Sequence, residues 1–153
     1  MNPDYSLLSR QIDSVIDGEF DAIAVLSNVS AILNESLENI NWVGFYLLKE
    51  NQLVLGPFQG KVACYRIPLD KGVCGKAVSA NTTQRIDDVH AFPGHIACDS
   101  ASESELVIPL IVNDETIGVL DIDSPILARF TEADQAGLEL CAEILVNHLA
   151  KCH

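Results

Sequence analysis

Between residues 22 and 37 the apolar side chains fall at Ala22, Val25, Leu26, Val29, Ile32, Leu33 and Leu37. This i, i+3, i+4, i+7 spacing draws one continuous stripe along a helix and marks it as core. Residues 5–17 predict a shorter helix before it, with Leu8, Ile12, Val15 and Ile16 near one another and Gly18 as the stop. The period then changes. Residues 41–49 carry Trp42, Val43, Phe45 and Tyr46, all types that favour strands, and Glu50-Asn51 turns the chain into residues 52–59 as a β-hairpin. Residues 62–67 predict a third strand carrying Cys64. Residues 68–72 break it, and residues 73–80 read as a short helix beginning near Cys74.

A short strand at 84–86 precedes a strongly apolar one at 106–112, in which Pro109 has no N–H to give to a ladder and so implies an edge position or a bulge. Asn113-Asp114 turns that strand into 116–123, a second hairpin. Thr131 is a good N-cap for the last helix, with Glu132 and Asp134 suited to its first turn, and Leu138, Cys141, Ala142, Leu145 and Leu149 form its apolar stripe. Two helices, then strands with a helical insertion, then one helix describe an α+β domain. Its central antiparallel sheet is expected to carry the N- and C-terminal helices on one face and a ligand pocket on the other.

Residues 90–105 fit neither period. Pro93-Gly94 is a turn pair, and Ala97, Asp99, Ser100, Ala101 and Ser102 are too small and polar to bury a regular face, so an irregular loop is expected. Loops of this length inside compact domains are usually functional or disordered, and Phe92 and Ile96 can anchor this one. It contains His90, His95 and Cys98. A thiol is intrinsically nucleophilic near neutral pH, which makes Cys98 the candidate nucleophile, although a lone cysteine is more often a small buried residue.

At 153 residues the chain suits a single domain spanning 1–153, and its 48% apolar fraction with a mean hydropathy of +0.22 is globular. A formal charge of −13 opposes nucleic acid and anionic membrane surfaces. Met1-Asn2-Pro3-Asp4 lacks a signal-peptide start, and no apolar run is long enough to span a membrane, so a soluble cytoplasmic protein is expected. In a reducing compartment the cysteines at 64, 74, 98, 141 and 152 suit transient redox or metal roles better than permanent disulfides.

Four stretches together resemble free methionine-(R)-sulfoxide reductases, small enzymes built on a GAF domain. They are Gly60-Lys61-Val62-Ala63-Cys64, Gly72-Val73-Cys74-Gly75, the run from Asp88 through His95-Ile96-Ala97-Cys98-Asp99, and Gly118-Val119-Leu120-Asp121-Ile122-Asp123-Ser124-Pro125. With Asn41-Trp42-Val43-Gly44-Phe45-Tyr46 the resemblance spans most of the chain. It implies reduction of free methionine-(R)-sulfoxide, with no cofactor, with thioredoxin as reductant, and with a homodimer as a possible assembly. It also implies Cys98 as nucleophile, Cys64 as resolving thiol and Cys74 as auxiliary or alternative partner; only geometry decides which pair bridges. Glu105, Asp121 and Asp123 match the family's acidic substrate positions, and Trp42 and Tyr46 its aromatic wall. Cys141 fits core packing, and Cys152 receives no role.

The chemistry has its own logic. A thiolate attacks the sulfoxide sulfur, the enzyme is left as a sulfenic acid, and a second thiol condenses with it into a disulfide, so that the sulfoxide oxygen leaves as water. Asp121 and Asp123 share one strand face, and with Glu105 nearby the crowding favours one carboxyl staying protonated, able to donate to the sulfoxide oxygen. The same acidity opposes thiolate formation at Cys98. Competing readings are a non-catalytic GAF sensor, for which three cysteines are superfluous, a zinc site from His90, His95, Cys98 and another cysteine, and a thiol peroxidase.

Overall fold

A computed structural model describes residues 3–96 and 98–153; Ala97, beside the candidate nucleophile, and Met1-Asn2 of the expected non-signal start lie outside the described residues. The elements in chain order are α1 (Tyr5–Ile16), α2 (Ala22–Ser36), β1 (Trp42–Lys49), β2 (Gln52–Gly60), β3 (Arg66–Pro68), α3 (Gly72–Ala80), β4 (Gln84–Ile86), β5 (Ser104–Val112), β6 (Glu115–Ser124) and α4 (Glu132–Leu149). The six strands form one antiparallel sheet in the order β3-β2-β1-β6-β5-β4.

Side-chain chemistry fixes most boundaries. Asp4, Asp21 and Thr131 cap the three long helices by accepting N–H bonds from Leu7, Ala24 and Asp134. Both hairpins turn on two residues at positive φ, Glu50-Asn51 and Asn113-Asp114, which is the backbone a two-residue turn between twisted strands requires. Asp134 does more than the expected favourable acid in a first turn. It accepts from Tyr5 Oη at 2.6 Å and from half-buried Arg129 at 3.1 Å, tying the start of α1 to the start of α4. Burial works against the charge of Asp134, but the bonds from Thr131 and Tyr5 with the Arg129 cation prevail and hold its carboxyl below the usual range.

The expected α+β architecture is borne out, with helices on one face of the sheet. Leu8, Ile12 and Ile16 of α1, the stripe of α2 and that of α4 bury against Val43, Phe45, Leu106, Leu120 and Ile122. Val15 departs from its predicted stripe and remains 44% exposed, since the buried side of α1 is narrow. The opposite face has its own apolar cluster, built from Tyr46, Leu53, Ile67, Val73, Ala77 and Val107 around α3.

Two local expectations are corrected and a third is met. The third strand is shorter than 62–67 and excludes Cys64, because only Arg66–Pro68 pairs with β2 and the Cys64 carbonyl instead accepts the Tyr46 hydroxyl at 3.0 Å. Residues 90–105 are irregular only in part. A 3-10 turn covers Val89–Ala91, and Ser104 and Glu105 already belong to β5, where they pair with Ser124 and Asp123. Pro109 takes the edge position expected of it: it lies inside β5, but β4 pairs only with Glu105 to Val107, so the strand is a local edge at the proline.

Candidate active site

Strand alternation sends Trp42 and Tyr46 of β1 to the face away from the helices, while Val43 and Phe45 enter the helix-side core. The register sets Trp42 beside Asp123, and Asp123 beside Glu105. Asp121, two residues back along β6, lies between Gly44 and Val107. Three carboxylates thus crowd next to an aromatic pair whose rings stack with centroids 5.8 Å apart, backed by Phe58 on Trp42 at 5.1 Å. From α3, the buried Cys74 Sγ comes within 4.0 Å of Glu105 Oε2.

Over this floor Cys64 and Cys98 are joined by a disulfide with their Cα atoms 5.4 Å apart, inside the ordinary span of such bridges. The bond closes residues 61–65 against the loop that follows the 3-10 turn. Beneath it lies a cavity of about 40 Å3 whose wall includes Trp42, Tyr46, Cys74, Cys98 and the three acids. Every predicted site residue is therefore in one place. Cys64 alone is not on the cavity wall; it meets the site through its sulfur.

Burial raises the Glu105 carboxyl well above the usual range, and the Asp121 and Asp123 charges add to the effect. Asp123 rises for the same two reasons, burial and Asp121. Asp121 rises by burial, against the opposing influence of its neighbours Glu105, Asp123 and Cys74. Burial and mutual repulsion thus both favour protonated forms within the cluster. Burial and the same three acids push Cys74 up, keeping it a thiol, and burial followed by Asp121 does the same to the Tyr46 phenol. Burial with the nearby His90 lowers His95. Cys141 behaves as core, with burial raising its thiol to about 11.

Trp42 Nε1, Asp121 Oδ1 and Asp123 Oδ1 are buried with no hydrogen-bond partner in the protein. Native interiors leave few such atoms, and a donor with two acceptors around one cavity suits a polar ligand. The predicted zinc ligands do not meet in this form: Cys98 is in the disulfide and His90 Nε2 bonds Glu103 at 2.6 Å. Among the described residues, the donors close enough for one ion are Cys74, Glu105 and Asp121, within 4.8 Å of one another.

The GAF domain model matches residues 24–150. A free methionine-R-sulfoxide reductase of Escherichia coli (strain K12) is 56% identical over 141 residues, 92% of this chain and 86% of that protein. The chain belongs to the free methionine-R-sulfoxide reductase family. Two structures of Staphylococcus aureus fRMsr extend the likeness. The reduced form has a TM-score of 0.94 at 55% identity, covering 97% of this chain and 96% of that one. The complex with substrate has a TM-score of 0.94 at 53% identity, covering 98% of both chains.

In this reductase a polar clasp, almost unmarked in the sequence, joins the residue before β1 to the cysteine loop. Asn41 Nδ2 donates to Asp99 Oδ2 at 2.9 Å and to Ser102 Oγ at 3.1 Å, and the Ser102 hydroxyl donates to Asp123 Oδ2 at 3.1 Å. The clasp ties the cysteine loop to a pocket acid. Position next to Trp42 was the only mark on Asn41, and nothing in the spacing of Asp99 and Ser102 shows which way they point. At the other end of the loop, the Gly72 N–H donates to the Gly94 carbonyl at 3.0 Å, with Gly72 at φ 71.

The acids also govern stability. A carboxyl raised in the folded state stabilises below its unfolded pKa of about 4, and that contribution is lost as pH rises through the folded value. Asp121→Asn removes one charge from the cluster. We expect it to unfold at a higher temperature than the parent at pH 7–8, by about 2–4 °C per kcal/mol of relieved repulsion, with the gap closing toward pH 4. Thermal unfolding across that range checks this; a variant less stable at every pH contradicts the crowding. Its reductase activity is expected to fall in the same protein.

Proposed function

We propose that this chain reduces free methionine-(R)-sulfoxide to methionine through Cys98 and Cys64, and that thioredoxin returns the resulting disulfide to two thiols. The observation that carries the reading is the Cys64–Cys98 bridge lying over a cavity walled by three crowded acids and a stacked aromatic pair. The Cys98 thiolate attacks the sulfoxide sulfur while a protonated member of the Glu105, Asp121 and Asp123 cluster gives its proton to the oxygen, making the sulfur more electrophilic. Methionine leaves, and the oxygen stays on Cys98 as a sulfenic acid. Cys64 then attacks the Cys98 sulfur and the oxygen departs as water, forming the disulfide. Cys74, held as a thiol outside that bridge, is an auxiliary.

The substrate follows from the walls. Trp42 and Tyr46 give the methyl thioether end an aromatic surface. The unpartnered Asp121 and Asp123 oxygens suit an ammonium, and the substrate carboxylate must turn toward N–H donors such as those of the loop. Within a peptide, methionine sulfoxide has neither terminal charge, and its chain continues in two directions. A domain of 1–153 working in the cytoplasm fits this reading, and among the described residues no helix is long and apolar enough to cross a membrane. The site is complete within one chain, which is compatible with a homodimer.

The test couples thioredoxin and its reductase to NADPH consumption. We expect turnover of free methionine-(R)-sulfoxide, little with the S epimer, and a large loss with the N-acetylated, C-amidated R compound. Equal reduction of the blocked compound contradicts an enclosed amino-acid site, and turnover of peroxide in place of the sulfoxide supports a thiol peroxidase.

A further inference from the structure

The segment from Gly60 to Arg66 contradicts the usual surface rule. Val62 is 90% exposed and Tyr65 76%, more than any other large apolar side chain among the described residues. Neither hangs on a loose loop. The Cys64 carbonyl between them accepts the Tyr46 hydroxyl at 3.0 Å, and the Tyr65 carbonyl accepts the Leu55 N–H at 3.0 Å. Gly60 leaves β2 at φ 144, where a side chain would strike the Trp42 ring, so the segment swings outward at a fixed place. The backbone is thus held from within while two apolar side chains face water. In a chain of net charge −13, the exposed Lys61 and Arg66 also set two cations at the edges of this patch.

Cys64 lies between the two apolar residues. Of the two bridged sulfurs, the one whose residue forms part of the cavity wall is that of Cys98. We propose that Val62 and Tyr65, edged by Lys61 and Arg66, form the docking surface for the protein dithiol that reopens the Cys64–Cys98 bridge, and that its thiolate attacks Cys64. The proposal rests on the recycling step above. It fits a partner whose nucleophilic thiol sits in an apolar surface with an acidic rim, because the apolar pair needs covering and the two cations need opposite charge.

The electrons balance in two exchanges. The partner thiolate bonds to Cys64 Sγ, the Cys64–Cys98 bond breaks, and Cys98 leaves as a thiolate. The partner's second thiol, as thiolate, then attacks the partner sulfur of the mixed disulfide. This releases the Cys64 thiolate and leaves the partner oxidised by two electrons, with the two proton-bearing thiols restored on this chain. Attack at Cys64 returns the free nucleophile to the cavity wall in the first exchange, whereas attack at Cys98 keeps it blocked until the second.

The experiment follows reduction of the pre-formed bridge by thioredoxin and, separately, by dithiothreitol, in the parent, in Val62→Ser/Tyr65→Ser and in Lys61→Glu. The apolar variant is expected to slow thioredoxin about tenfold or more in kcat/KM, the cost of losing an interface anchor. Lys61→Glu is expected to slow it less and to flatten its salt dependence, and neither variant changes the dithiothreitol rate. Equal slowing with both reductants, or no slowing with thioredoxin, overturns the docking surface alone. If dithiothreitol but not thioredoxin reduces the parent, the recycling step fails and the surface with it. A thioredoxin whose second cysteine is serine, trapped on the protein and mapped by peptide mass spectrometry, is expected on Cys64; trapping on Cys98 overturns the assigned point of attack.

Discussion

Cys98→Ser is expected to lower methionine-sulfoxide reduction by at least about a thousandfold, the scale on which enzymes lose activity when their nucleophile is removed. A hydroxyl in that position is not appreciably ionised near neutral pH, and no other described residue on the cavity wall supplies an equivalent sulfur. Cys74 is on that wall but is buried, and the three acids hold it as a thiol. The loss should appear in kcat, with substrate binding retained because Trp42, Tyr46 and the carboxylates are untouched. NADPH-coupled turnover and calorimetric binding of the sulfoxide separate the two. Near-normal turnover of the variant excludes Cys98 as nucleophile.

Cys64→Ser is expected to divide the reaction in two. The first half, attack by Cys98 and release of methionine, needs no second thiol, so one methionine per chain should form rapidly. Turnover with thioredoxin then stops, since the sulfenic acid has lost the sulfur to which it is bridged in the parent. Mass spectrometry after one addition of substrate should find Cys98 carrying one oxygen. A rapid Cys74–Cys98 bridge with sustained turnover in this variant makes Cys74 an efficient resolving thiol and overturns its auxiliary role.

Legibility in the sequence followed the strength of periodic signals. The stripes of α2 and α4, the two turns at 50–51 and 113–114 and the Thr131 cap are local patterns whose physics needs few distant residues, and each appears in the structure where expected. Cys64 was misplaced on a strand because 62–67 has strand-like composition, whereas pairing with β2 reaches only Arg66–Pro68. Similarly, Ser104 and Glu105 look like loop residues, and the partners that make them a strand lie in β6. Val15 shows the limit of helical spacing, which orders positions around α1 but does not set how wide a side is buried.

The site was legible in its residue types and not in its distances. Alternation alone put Trp42 with Tyr46 and Asp121 with Asp123, but only the β1–β6–β5 register brings the two pairs together with Glu105. The choice between Cys64 and Cys74 was likewise a question of geometry, since both lie at separations that a flexible chain can close. The Asn41–Asp99–Ser102–Asp123 clasp depends on side-chain directions within an irregular loop, for which sequence has no period to offer.

Reduction of the free sulfoxide and formation of the Cys64–Cys98 bridge are expected to be one coupled event. A single-turnover reaction of the fully reduced protein with excess free methionine-(R)-sulfoxide and no reductant tests it, by counting methionine formed and thiols lost and by mapping the bridged peptides. One methionine is expected for each Cys64–Cys98 disulfide, with two thiols consumed and Cys74, Cys141 and Cys152 still free. Methionine formed without thiol loss, or bridges formed without methionine, would contradict it.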